Sequence, residues 1–96
     1  MSAQTGSSFI AIDIPTEHPT ILNFPLVEEF PSNLRVSQSI KVEVSGSEDN
    51  FFLGFVKEYD SSSLNLQVES KINENSGSFS NWTIVKTMGG LSGRTS

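Results

Sequence analysis

The sequence predicts an all-β domain: a small antiparallel β-barrel or sandwich of five to six strands with an extended N-terminal arm. Three observations predict it. Apolar residues recur with a period of two over 40–44, 51–59, 64–69 and 82–86, the spacing of a strand with one buried face. Helical periodicity runs nowhere beyond one turn. β-branched and aromatic side chains fill the apolar positions, as a half-buried pleated surface prefers, and short segments rich in Ser, Asn, Asp and Gly separate them.

Residues 1–8 are small and polar after Met1 and read as a disordered or partner-ordered tip. In "FIAIDI", 9–14, Ile10, Ile12 and Ile14 alternate with Ala11 and Asp13, which predicts a strand. Pro15 and Pro19 end it. Over 20–31, Ile21 and Phe24 suit a strand that Pro25 closes, followed by a turn or short 3₁₀ segment before Pro31. All four prolines fall between 15 and 31, so this stretch cannot all be regular sheet, yet its apolar side chains need burial. An arm lying on a neighbouring subunit or another partner protein meets both demands, with Phe9, Ile10, Ile12 and Ile14 as contact residues and "FIAIDI" adding an edge strand to its partner. Packing of the arm on its own domain is the other solution.

The signal sharpens at "IKVEV", where Ile40, Val42 and Val44 oppose Lys41 and Glu43. "SGSEDN", 45–50, has turn chemistry. In "FFLGFVKEY", Phe51, Leu53, Phe55 and Tyr59 share one parity and Phe52, Gly54 and Val56 the other. After the turn "DSSS", Leu64, Leu66 and Val68 point inward, which completes a meander of three strands. "NENSGS", 73–78, is a loop, and "WTIVKTM" is the last strand. The chain divides into an arm (1–19), a β module (20–88) and a flexible Gly/Ser tail (89–96). Gly54 within a strand predicts a bulge or a close backbone approach.

Composition narrows function. The chain has 96 residues, six basic and eleven acidic, for a net charge of −5, and no cysteine. One modest core is what this length supports. The basic residues are scattered, and a phosphate backbone needs a basic stripe, so no nucleic-acid partner is expected. The start carries no basic and apolar leader pattern, and no apolar run approaches the ~20 residues of a membrane-spanning helix. A soluble protein without membrane contact is expected.

Catalytic patterns are sparse. His18 is the single histidine, and Glu17 beside it could orient the ring, but acid–base chemistry needs more than one preset group. An exposed loop histidine is the expectation. Glu48, Asp49 and Asn50 could give oxygen ligands to calcium, which usually takes six to eight; a solvated hairpin loop is expected there. "DSSS" has no histidine in sequence reach. No zinc spacing, phosphate loop or glycine fingerprint occurs. The sequence therefore predicts no enzyme, no metal and no cofactor. Asn81-Trp82-Thr83 matches a glycosylation sequon, read as chance without a signal peptide.

Aromatic residues supply the remaining option. On an exposed β face they stack on sugar rings or anchor an interface. Phe55 and Trp82 are expected in the core, where aromatic burial supplies much of a small domain's stability. Phe51 and Phe52 are adjacent, so a strand points them to opposite faces, and one of them is a candidate interface residue.

Residues 40–90 are similar to a small β module of bacteriophage tail-fibre, virion appendage and decoration proteins. The family pattern is a "GxV" strand, a Tyr-led turn, an "LxVxV" strand, a "GSGTxSxW" loop and a "WTI" strand. Gly54, Phe55 and Val56 match the first strand, Tyr59 the turn, and Leu64, Leu66 and Val68 the next strand. Ser76, Gly77, Ser78, Ser80 and Trp82 match the loop and its tryptophan. Asn75 stands where the loop's first glycine usually sits, and Ser78 replaces threonine. The resemblance implies a non-enzymatic bacteriophage virion structural protein, a capsid decoration protein or a tail or head fibre component. It would act by assembly with other virion proteins, as a homo-oligomer, by analogy a trimer, made in the host cytoplasm and located in the virion. A carbohydrate-binding module for host surface glycans is the alternative. Gly77 is expected at positive φ, and Trp82 is expected to enter the core beside Gly54. Gly90 to Thr95 reads as two Gly-X-Y triplets, too few for a collagen helix.

Overall fold

The computed structural model describes residues 5–30 and 34–87. Eight strands follow in order: β1 (Thr5–Ser8), β2 (Ile12–Asp13), β3 (Ile21–Pro25), β4 (Ser39–Val44), β5 (Ser47–Asp60), β6 (Asn65–Glu74), β7 (Ser78–Phe79) and β8 (Trp82–Lys86). Six form one antiparallel sheet in the order β1-β8-β4-β5-β6-β3, and β2 pairs with β7 in a separate ribbon. No helix occurs among the described residues, and the main sheet curls into a half-barrel, as the period-two patterns predict.

Strand length forces the curl. At ~3.3 Å per residue a straight strand as long as β5 would run about 46 Å, whereas the longest extent of the domain is 32 Å. Two register shifts in the β5–β6 ladder, at Leu53/Gly54 and at Val56/Glu58, provide the bends. The edges of the curled sheet then meet. Ser8 bridges Leu26, the Val27 N–H donates to the Ser7 carbonyl at 3.0 Å, and the Ser8 hydroxyl donates to the Pro25 carbonyl at 2.8 Å. Pro25 ends β3 at a sheet edge, where a missing N–H disturbs the ladder least.

The interior is one cluster. Phe24, Ile40, Val42, Phe52, Leu66, Val68, Trp82 and Ile84 are fully enclosed, and Ile14, Leu26, Phe30, Leu34, Val44 and Val56 are buried around them. The Phe24, Phe52 and Trp82 rings meet at centroid distances of 5.9–6.4 Å. The inward parity expected for "IKVEV" is observed, as is that of Leu66 and Val68, whereas Leu64 falls in the turn before β6 at φ +56° and only packs against the core.

Several expectations need correction. Thr5–Ser8 is not a loose tip; it is a sheet strand paired with β8. Its inward positions are Gly6 and Ser8 because the seam is crowded: a Cβ on Gly6 would lie 2.9 Å from the Phe30 ring. Small residues fit there, and they hide the apolar alternation that marks other strands. "FIAIDI" forms only the short β2, pairing Ile12 with Phe79 and Asp13 with Ser78. The arm packs on its own domain: Ile14 is buried, and Ile10 and Ile12 lie against the core. "SGSEDN" is not all turn. Ser45–Gly46 turn the chain, with Gly46 at φ +84°, and β5 starts at Ser47.

Gly54 does not make room for Trp82. The register shift leaves Lys71 as the extra residue on β6 and presses the β6 backbone onto Gly54. A Cβ there would fall 2.4 Å from the Glu69 carbonyl oxygen. Backbone cannot move aside as a side-chain tip can, so Gly54→Ala is expected to cost about 1–3 kcal/mol by overpacking. Thermal or urea unfolding of the variant checks this; a melting curve superposable on wild type would refute it. The Gly-X-Y tail lies outside the described residues.

Candidate functional site

The arm is held by a directed chain of hydrogen bonds centred on His18. The Asn73 side-chain amide donates to the Asn75 carbonyl at 2.7 Å, which turns its oxygen toward His18 Nε2 at 2.9 Å. Nε2 donates to that oxygen, and Nδ1 lies 2.8 Å from the Ser70 hydroxyl. Ser70 Oγ in turn accepts the Thr20 N–H at 3.0 Å. The ring is oriented by Ser70 and Asn73, not by Glu17. A hydroxyl, an imidazole and an amide in series have the composition of a nucleophilic triad. The Ser70 side chain is nevertheless buried, with 2% of the residue exposed, and its oxygen already accepts a backbone N–H. Both features suit a latch that fixes residues 18–20 to β6. Among the described residues no group of three His, Cys, Asp or Glu side chains could hold a metal ion.

The outer face of the sheet offers a different chemistry. β5 turns Phe52 and Val56 into the core, so Phe51, Leu53 and Phe55 line its outer side in a row, each half-buried. Phe55 thus belongs to the outer face and not to the core, because the parity of β5 is decided by Phe52. Pairing places Glu43 and Glu74 on either side of Phe51, Lys41 and Ile72 beside Leu53, and Ser39 and Glu69 beside Phe55. Ile72, next to the bulged Lys71, is 51% exposed; a bulge re-aims side chains in this way. Lys41 Nζ lies 4.6 Å from the centre of the Phe51 ring and Lys71 Nζ lies 5.5 Å from that of Phe55. Their aliphatic stems cover part of the stripe, and the Lys41 ammonium also pairs with Glu43 at 3.3 Å.

The residues singled out from sequence separate into two groups. Trp82 is wholly enclosed. Its indole N–H donates to the Ile10 carbonyl at 2.8 Å, and Phe79 meets it edge-on. Tyr59 lies against the core and its hydroxyl accepts the Phe30 N–H at 2.9 Å. Gly77 takes φ +137°, and its carbonyl accepts the Ile14 N–H at 2.9 Å. These residues, with Gly54, hold the domain together. Of the interface candidates, Phe52 and Ile14 are buried, Ile10 and Ile12 pack on the core, and Phe9 is 68% exposed. Only Phe51 lies on the outer stripe. Leu53, Phe55 and Ile72 were missed as surface residues. β5 is apolar on both parities, so alternation alone could not say which side faces out.

Comparison of the chain with protein-family models, with curated proteins and with solved structures finds no match. Fold and surface define a class: a small, curled antiparallel β domain with an apolar stripe on its outer face.

Proposed function

We propose that this protein is a non-enzymatic structural component of a bacteriophage virion, acting through protein–protein assembly as a capsid decoration protein or a tail or head fibre piece. The observation that carries the assembly role is the outer stripe of Phe51, Leu53, Phe55 and Ile72, four large apolar side chains contiguous on one sheet face. Ile72 is exposed and the other three are half-buried, and a contiguous solvent-reaching apolar surface rimmed by charge suits an interaction site. The virion assignment rests on the motif resemblance of residues 40–90. The glycan-binding alternative has less support, since Trp82 and Tyr59, the side chains best suited to stack on sugars, are committed to the interior and to a backbone contact. The trimer implied by the fibre analogy has no separate support.

Mass spectrometry of purified particles of the phage that encodes this chain is expected to find it at stoichiometric copy number. Leu53→Lys introduced into the phage genome is expected to give folded protein in the lysate that is missing from particles. Absence of the wild-type chain from particles would overturn the virion reading. Normal incorporation of the variant would overturn the stripe as the assembly surface. A glycan array is expected to show no binding.

A further inference from the structure

We infer that the outer stripe of β5 receives a second copy of this chain, the two packed face to face about a two-fold axis passing near Leu53. The inference rests on the assembly reading above and names the partner. Its basis is how charge is distributed along the stripe. Around Phe51 stand Glu43, paired with Lys41 at 3.3 Å, and a second carboxylate, Glu74, which leaves this end one negative charge in excess. Around Phe55 stand two cations, Lys57 and Lys71, and one carboxylate, Glu69. The two ends lie four residues apart on one strand, about 13 Å, with Leu53 and Ile72 between them and Lys41, opposite Leu53 on β4, turned toward Glu43. The stripe is therefore acidic at one end, apolar in the middle and basic at the other.

Such a surface is complementary to itself in one orientation. Two copies with β5 parallel would set acid on acid and base on base. Turned about a two-fold axis, the Phe51 end of one copy meets the Phe55 end of the other, and Leu53 and Ile72 meet at the centre. This is the isologous arrangement, in which one patch serves both partners. A ring of three needs two different complementary patches on each copy. The groove between Phe9 and Val27 is lined by Glu28 and Glu29 and, among the described residues, by no Lys or Arg; its charge suits only the basic end of the stripe and leaves the acidic end uncompensated. The lysines that lie over Phe51 and Phe55 can move off as the rings pack, because their long stems are flexible.

Analytical ultracentrifugation of the full chain over about 1 μM to 1 mM, the range that brackets weak to moderate affinity, tests the inference. A monomer–dimer equilibrium is expected, weakened by salt because charged ends align. Leu53→Lys is expected to be monomeric throughout, with an unchanged far-ultraviolet circular dichroism spectrum. Lys71→Glu is expected to weaken the dimer about tenfold. Adding Glu74→Lys to that variant is expected to restore it, since the two positions oppose each other across the axis. Phe51→Ser gives a second, uncharged disruption should Leu53→Lys fail to fold. A monomer at all concentrations, a trimer, or a dimer indifferent to the Leu53 and Phe51 variants overturns the inference. A monomer that is nevertheless found in particles leaves the assembly role standing, with another protein as partner.

Discussion

Trp82→Ala is expected to leave a chain that is at best marginally folded at room temperature. Truncating a buried tryptophan costs on the order of 3–5 kcal/mol, and a domain of this size has a total stability of only about 5–10 kcal/mol. The geometry places this case at the severe end. The indole touches the Phe24, Phe52 and Phe79 rings, which come from three different strands and cannot all collapse into the space. The Ile10 carbonyl also loses the donor that ties the arm to the barrel. Trp82→Phe keeps most of the ring contact and removes the hydrogen bond, so it is expected to cost less, about 1–3 kcal/mol for the unpaired carbonyl and the smaller volume. Urea unfolding of both variants measures the difference. A Trp82→Ala protein melting near wild type would show that the aromatic cluster is not the centre of the core.

Removal of residues 1–15 is expected to unfold the domain. That outcome is opposite to the one an independent docking arm would give. The deletion takes away β1, and with it the partner of β8 along Thr5–Ser8. It takes away the Ser8–Leu26 bridge that joins the edges of the sheet. It removes Ile14, 2% exposed, whose burial alone is worth roughly 1.5–3 kcal/mol, and uncovers Trp82. The two freed edges would then present unpaired N–H and C=O groups, a template for aggregation. Circular dichroism and light scattering of the truncated chain are expected to show lost β signal and large particles. Phe9→Ser is the control: Phe9 is 68% exposed, and such a change is expected to stay within about 0.5 kcal/mol of wild type. A soluble, cooperatively melting truncated domain would restore the arm as a separable docking element.

The all-β class and the inner faces of β4 and β6 were legible in the sequence, because strand periodicity is local and each of those strands has one apolar parity. Gly77 at positive φ and the buried Trp82 were legible for similar reasons. A loop glycine before a lone tryptophan leaves few other arrangements for a chain that needs a core. Long-range packing decided the rest. β1 has Gly6 and Ser8 inside because Phe30 and Leu26 already occupy that space, so no apolar pattern announces it. β5 is apolar on both parities, and only its register with β4 and β6 selects Phe52 and Val56 for the interior and Phe51, Leu53 and Phe55 for the surface. Gly54 answers to the backbone of β6, and His18 finds its partners 52 and 55 residues away in Ser70 and Asn73. Periodicity records which residues of one strand share a face; which face is covered, and by what, depends on neighbours that the chain brings together only when the sheet curls and its edges meet.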